Sequence, residues 1–246
     1  MKDIKFICGM PRAGSTLLSY LLNQNKKIAM TANSILPDLL FDCFKLKQSS
    51  IFKNFPDDKS FNNVLNNLFY VYYKDWKAST IIDKGPWGTP GNLILLKNLY
   101  QKPKFIILYR PVLECLASFV RMDKPYDIDK YCEARMDKKG RIGKELWSIR
   151  NLLETKENCH ILTYKKLTTK PQLEINKICK FIEVDSFKLK PKVSSQLKIN
   201  KVAYNDKVLN SPLHKLHIGK IKPIPISVKK ILPERIIERY KNMDVL

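Results

Sequence analysis

"CGMPRAGSTLLSYLL", residues Cys8 to Leu22, decides how this chain is built. Residues 4–8, "IKFIC", form a short apolar run with β-branched and aromatic members, the pattern of a buried strand. Gly9, Pro11 and Gly14 punctuate it. From Ser15 onward, Leu17, Leu18, Leu21 and Leu22 recur at helical spacing. The opening therefore reads as strand, glycine loop, helix. Such a loop points backbone N–H groups at an anion, and the helix N-terminus adds about half a positive charge. From Gly9 the loop runs glycine, four residues, Gly14, Ser15, Thr16. A Walker loop would carry Lys at position 15 to reach the β- and γ-phosphates. Without it, ATP or GTP hydrolysis is disfavoured. Arg12 offers a planar fork that can hold two phosphate or sulfonate oxygens, and Ser15 and Thr16 add hydroxyl donors. Taken alone, the loop could also be a plain glycine turn.

Working outward, residues 35–46 read as a helix with Pro37 near its first turn, where proline is tolerated. "SSIFKNFPDD" reads as a loop. Ser60 is a candidate cap for a helix carrying Val64, Leu65, Leu68, Phe69, Tyr72 and Trp76. "STIID", 79–83, is a second strand, followed by the Gly- and Pro-dense loop "KGPWGTPGN". A helix runs from Leu93 to Tyr100. "KFIILYR", 104–110, is the clearest strand, and Pro111 ends it and opens a helix. The basic stretch 123–140 reads as a mobile excursion. Helix 142–153, strand 160–164 and a helix opened by Pro171 follow. Strands alternating with helices predict an α/β fold with a central, mainly parallel sheet. The pattern fades near residue 188, so the chain reads as one domain, 1–246. It has an α/β core over 1–187 and a basic, Pro-rich tail over 188–246.

A second anion site is visible in "YRPVLECLASF". Arg110 ends a strand, at the edge where open α/β sheets bind ligands. Ser118 follows on the next helix. Alone, the pair fits a surface ion pair and a packed serine. Two anion sites on one sheet edge suit a ligand with two separate phosphate groups.

Composition narrows the classes. Hydrophobic residues make up 44% and charged residues 28%, enough for a real core. Lys plus Arg is 45 against 23 Asp plus Glu, a formal +22. The cations are dispersed, so they fit a lysine-rich codon bias as well as an anionic partner. Clustered cations and reading motifs expected of a nucleic-acid binder are missing, so no nucleic acid is expected. Six cysteines lack metal-ligand or redox spacing, which fits a reducing compartment. No apolar run approaches a membrane span, and Pro11 and Arg12 interrupt the only stretch resembling a signal peptide. A soluble, cytoplasmic chain is expected.

These residues together resemble sulfotransferases that use 3′-phosphoadenosine 5′-phosphosulfate (PAPS). "PRAGST" matches that family's first loop, and Arg110 and Ser118 its strand-end Arg with Ser eight residues on. "DKGP" matches its Asp-Lys before a Pro-containing loop. "YKKLTTKPQLEINKICKFI" matches its late strand and helix. The four occur in family order across residues 6–182, with the flavour of short soluble microbial and phage-like members. The resemblance implies a three-layer, P-loop-like fold and PAPS as co-substrate, with no metal expected. It places Arg12, Ala13, Gly14, Ser15 and Thr16 on the 5′-phosphosulfate and Arg110 and Ser118 on the 3′-phosphate. Lys84 would stabilise the leaving phosphate, and Arg12 the sulfonate in transfer. The basic tail around His214 to Lys222 would close over the cofactor.

The sequence departs from the pattern at Ala13, where a serine is usual, and at "YKKL", where an acidic pair is usual. Asn33 falls where some relatives carry a catalytic Glu. The base is therefore open: Asp38 is the first candidate, Asp83 a second, and His214 a third if the tail folds back. The pair His214 and His217 makes a poor metal site. Competing readings are a degenerate P-loop phosphotransferase and a non-catalytic nucleotide- or polyanion-binding relative. The segments 35–80 and 121–145 are expected to form the acceptor pocket, and the charge suggests an anionic glycan or acidic peptide in it.

Overall fold

The computed structural model describes residues 2–31, 33–209 and 212–246. In chain order, β1 (Asp3–Gly9) leads into α1 (Ser15–Leu22), β2 (Ile28–Met30), α2 (Leu36–Lys45), α3 (Ser50–Asn54) and α4 (Asp58–Tyr73). Next come β3 (Thr80–Lys84), α5 (Pro90–Leu99), β4 (Lys104–Tyr109) and α6 (Val112–Asp123). α7 (Ile128–Met136), α8 (Gly143–Glu154), β5 (Asn158–Thr163), α9 (Tyr164–Thr169) and α10 (Pro171–Phe181) complete the alternating part. The tail carries β6 (Lys192–Val193), β7 (Lys198–Ile199), β8 (Val202–Ala203), β9 (Gly219–Lys220), α11 (Val228–Ile231) and α12 (Glu234–Tyr240).

β1 to β5 pair in parallel in the order β2-β3-β1-β4-β5, flanked by helices, so the fold class is α/β as the strand–helix alternation predicts. Strands covered on both faces read as continuous apolar runs rather than alternating ones. β1 follows that rule, with every residue after Asp3 buried. Its Phe6 ring meets Phe69, Trp87 and Tyr100 edge-on, with centroids within 5.8 Å, and these rings pin α4 and α5 to the sheet. In α4, the buried Leu65, Phe69 and Tyr73 recur every fourth residue, which sets the face that packs inward.

The register positions the site. Ile7 lies beside Lys84 on one side and Ile106 on the other. The carboxyl ends of β3, β1 and β4 therefore stand side by side, where open α/β sheets bind ligands. Lys84, the glycine loop and Arg110 leave from those ends.

Several local expectations are corrected. "SSIFKNFPDD" contains a turn and a half of helix, α3, capped by the Ser49 hydroxyl accepting from Phe52 N–H. Asp57, not Ser60, caps α4: its carboxylate accepts from the Ser60 N–H at 3.0 Å. Residues 123–140 are not an unstructured excursion. They hold α7, capped by Asp127 and tied to α12 by the Asp129–Arg235 and Glu133–Arg239 ion pairs. Edge strand β2 and the short α9 carry too few residues to show periodicity. They form because β3 and β5 stand ready to receive them.

Candidate active site

The loop after β1 is set by two left-handed residues. Gly14 has φ 90° and Arg12 has φ 63°. Glycine takes that region freely, and an L-residue such as arginine holds it at a cost that recurs at functional sites. At Gly14, a Cβ would also meet the Tyr164 ring at 3.1 Å. Beyond Gly14, the N–H groups of Ser15, Thr16 and Leu17 open α1 and have no acceptor inside the helix. Ala13 plays another part. It is fully buried, and its N–H donates to the Met10 carbonyl at 3.2 Å, closing the loop on itself rather than offering a donor.

Arg12, Arg110 and Ser118 meet at this loop. Arg12 Nε donates to Ser118 Oγ at 3.2 Å. Arg110 Nη1 donates to the Arg12 carbonyl at 2.9 Å, and its Nε pairs with Glu114 at 2.9 Å. The Arg110 guanidinium lies 4.3 Å over the Tyr164 ring, so it is held on three sides. Among the described residues no carboxylate comes within ion-pair distance of Arg12. Burial, and then the like charge of Arg110, lower the Arg12 pKa. Two guanidiniums crowded in this way repel each other, and the charge of Asp123 offsets this only in part; a bound anion would relieve it.

Lys84 closes the other side. Its Nζ donates to Asn33 Oδ1 at 2.9 Å, a bond that orients the lysine. Burial lowers the Lys84 pKa, and Glu145 acts against it. Glu145 lies near the Gly9 backbone, and its buried Oε2 has no partner; burial raises its pKa, and Lys84 acts against it. Asp83 is fully buried and accepts from Ser34 Oγ at 2.7 Å, Trp87 Nε1 at 2.8 Å and the Tyr73 hydroxyl. Desolvation pushes its pKa up to about 6 against those three bonds. It braces the wall of the site from behind. Asp38 is exposed in the first turn of α2, where a carboxylate suits the helix N-terminus.

The tail returns to the loop. Arg12 Nη1 donates to the Leu213 carbonyl at 3.1 Å, and the Ile224 N–H donates to the Tyr164 hydroxyl at 3.2 Å. Tyr204 lies beside the Thr16 side chain and stacks flat on His214, with ring centroids 3.7 Å apart and planes at 4°. His214 Nδ1 sits 2.6 Å from Asp206 Oδ1, and its backbone N–H donates to Oδ2 at 2.9 Å. Burial pushes the Asp206 pKa up, but the two His214 bonds outweigh it and hold the carboxylate below its ordinary range. An ionised Asp206 accepts a hydrogen bond from Nδ1–H, which keeps the proton on Nδ1 and leaves Nε2 as the basic nitrogen. Burial lowers the His214 pKa below 6.5 despite Asp206, with the charges of Lys84 and Arg12 adding to the effect.

A cavity of about 340 Å³ opens beside Asn33 and Tyr204. Its walls come from Thr31, Asn33 and Ser34, from the end of α4 and its following turn, and from tail residues between Leu197 and Asn205 other than the lysines there. None of its lining comes from 121–145, because α7 is fastened to α12 instead.

The sequence profile of the sulfotransferase family matches residues 5–188, from β1 to just past α10. The chain belongs to the sulfotransferase family. The matched range spans the loop, Lys84, Arg110 and Ser118. None of the curated proteins is similar enough in sequence to count as a match. Solved sulfotransferases share the fold. The sulfotransferase domain of the Synechococcus PCC 7002 olefin synthase aligns with TM-score 0.57 and 17% identity, over 100% of this chain and 98% of that one. The sulfotransferase domain from the curacin biosynthetic pathway aligns with TM-score 0.56 and 17% identity, over 100% and 92%. The sulfotransferase from Alicyclobacillus acidocaldarius gives 0.51 and 14%, over 77% and 83%. For this family member, Tyr204, Asp206 and Glu145 are the residues that sequence reasoning missed. Tyr204 and Asp206 lie in the tail, where no periodic pattern exists to place them. Glu145 reads in sequence as an ordinary acidic residue in the first turn of a helix.

Proposed function

We propose that the chain transfers a sulfuryl group from PAPS to a hydroxyl acceptor by direct in-line displacement. The observation that carries this reading is the convergence of Arg110, from the end of β4, on the left-handed loop residue Arg12, whose guanidinium makes no ion pair among the described residues. That arrangement fits two anionic groups held by side-chain cations and helix N–H donors. Arg12 with the N–H groups of Ser15 and Thr16 would hold the 5′-phosphosulfate, with Gly14 shaping the loop. Arg110 and Ser118 would hold the 3′-phosphate. Ala13 closes the loop. When bound, PAPS supplies an activated sulfuryl group and a phosphate leaving group.

The chain's own residues then divide the work. His214 Nε2 takes the hydroxyl proton as the acceptor oxygen forms its bond to sulfur. Asp206 holds the imidazole in the required tautomer and stabilises the imidazolium that results. Arg12 spreads the charge on the equatorial sulfonate oxygens. Lys84, aimed by Asn33, donates to the bridging oxygen, which departs with the electron pair of the broken S–O bond. The tail closes over the loop through Leu213 and Tyr204, which excludes water from the transfer. His214 takes precedence over Asp38 and Asp83 as the base. Asp38 faces solvent, and Asp83 has its lone pairs committed to three donors.

The test is calorimetry with adenosine 3′,5′-bisphosphate against ATP·Mg²⁺, followed by transfer of label from ³⁵S-PAPS. The bisphosphate should bind and ATP·Mg²⁺ should fail to displace it. Tight ATP·Mg²⁺ binding without bisphosphate binding would instead favour the phosphotransferase reading.

A further inference from the structure

The cavity beside Asn33 and Tyr204 has a chemistry that the overall charge of the chain conceals. The protein carries a formal +22, yet no lining residue of this cavity is charged. One wall is aromatic: Tyr72 and Trp76 each stand edge-on to Tyr73 at 4.9 Å. The opposite wall is aliphatic, from Leu197, Ile199 and Val202 on the β7–β8 hairpin of the tail. At the rim, Tyr72 is 43% and Val202 70% exposed, apolar surface that an occupant would cover. The polar end is the catalytic end, where Asn33 holds Lys84 and Tyr204 stacks on His214.

We infer that this cavity is the acceptor site and that it takes a small, uncharged, ring-bearing hydroxyl compound, rather than an anionic glycan or acidic peptide. The inference rests on the sulfotransferase reading for the direction of chemistry, while the cavity's preference for a neutral ring stands on its walls. A carboxylate or sulfate seated between Tyr73 and Ile199, away from the Lys84 end, would lose its hydration with no cation in those walls to meet it. A flat ring can stack against the aromatic wall while its hydroxyl reaches between Lys84 and His214. The volume lies at the small end of the range for compact organic ligands. It suits a monomeric acceptor and not a length of polymer.

The acceptor probe is 2-naphthol. The competing probes are a glucuronate-containing disaccharide and a Glu-Tyr-Glu tripeptide. Each is titrated by calorimetry into the full chain, with adenosine 3′,5′-bisphosphate titrated separately. 2-Naphthol should bind at least tenfold more tightly than either acidic probe. Val202→Asp and Tyr72→Ala, both at the exposed rim, should each weaken naphthol binding several-fold and leave the bisphosphate isotherm unchanged. Tighter binding of an acidic probe, or naphthol affinity indifferent to both substitutions, overturns the assignment. Bisphosphate binding without naphthol binding removes the inference and keeps the sulfotransferase reading. Naphthol binding that responds to the rim variants, without bisphosphate binding, keeps the neutral cavity and removes that reading.

Discussion

Arg12 Nε donates to the Ser118 hydroxyl at 3.2 Å, joining residues 106 positions apart in the chain. The bond ties the first glycine loop to α6 and brings together the residues that the sequence offered as two candidate anion sites. Arg110 completes the group by donating to the Arg12 carbonyl. Arg12→Ala and Arg110→Ala should each lower bisphosphate affinity by roughly 10- to 100-fold, the worth of a charge-assisted contact. Ser118→Ala should cost less, about tenfold or under, because a neutral hydroxyl is lost. Calorimetry reads all three. Unchanged affinity in both arginine variants would sink the assignment.

In the proposed transfer, Lys84 acts on the leaving oxygen and not on nucleotide binding. Lys84→Ala should lower kcat by roughly 100-fold or more, the scale for losing one oxyanion donor, and leave bisphosphate affinity near the parent value. Asn33→Ala frees the lysine and should lower kcat by a smaller factor, with KM for the acceptor rising. Steady-state kinetics beside calorimetry separates the two effects. Full turnover in the Lys84 variant would remove it from the chemistry.

The His214–Asp206 pair predicts a pH profile. Burial holds the His214 pKa below 6.5, so the ring is neutral and basic at pH 7. Activity is therefore present at neutral pH and lost as pH falls through that lowered pKa. A plot of kcat/KM should stay flat near neutrality and fall only below pH 6.5. His214→Gln should lower the plateau by about 10²- to 10⁴-fold and abolish this acidic limb. An unaltered limb would assign the base elsewhere.

Asp83 predicts a stability effect. Its folded pKa of about 6 lies above the ordinary 3.8, so its contribution is fully present below pH 3.8 and is lost as pH rises through about 6. This group's share of stability should therefore increase as pH falls from 7 towards 4, and the share should vanish in Asp83→Leu. The same substitution strands the Trp87, Tyr73 and Ser34 donors at about 1–3 kcal/mol each, and the variant should melt well below the parent. Thermal melts followed by circular dichroism over that pH range test both parts.

Much of this was legible in residue order. "IKFIC" and "KFIILYR" are buried strands in one parallel sheet, and apolar runs of that kind have few other homes. Pro171 opens a helix and Pro111 stands directly before one, as read, since a fixed φ and a missing N–H cost nothing there; α5 starts at Pro90, a turn earlier than the Leu93 read from the apolar pattern. Lys84, Arg110 and the loop were readable because each sits at a strand end, and strand ends of a parallel sheet converge. α3 and α7 were not readable, because their stability comes from caps and ion pairs to distant residues rather than from an apolar stripe. α7 is held by Arg235 and Arg239, whose positions nothing in residues 123–140 discloses.

By itself, the sequence determined the sheet, the glycine loop and the cations at the strand ends, because local periodicity and proline and glycine stereochemistry act within a few residues. Only the tertiary structure decided what faces those cations. The tail has no period to read, and its place is set by long-range contacts: Leu213 on Arg12, Tyr204 on Thr16 and Ile224 on Tyr164. Those contacts carry His214 and Asp206 to the loop and build the second wall of the uncharged cavity. Burial there, and not composition, sets the basicity of His214 and the neutrality of the pocket.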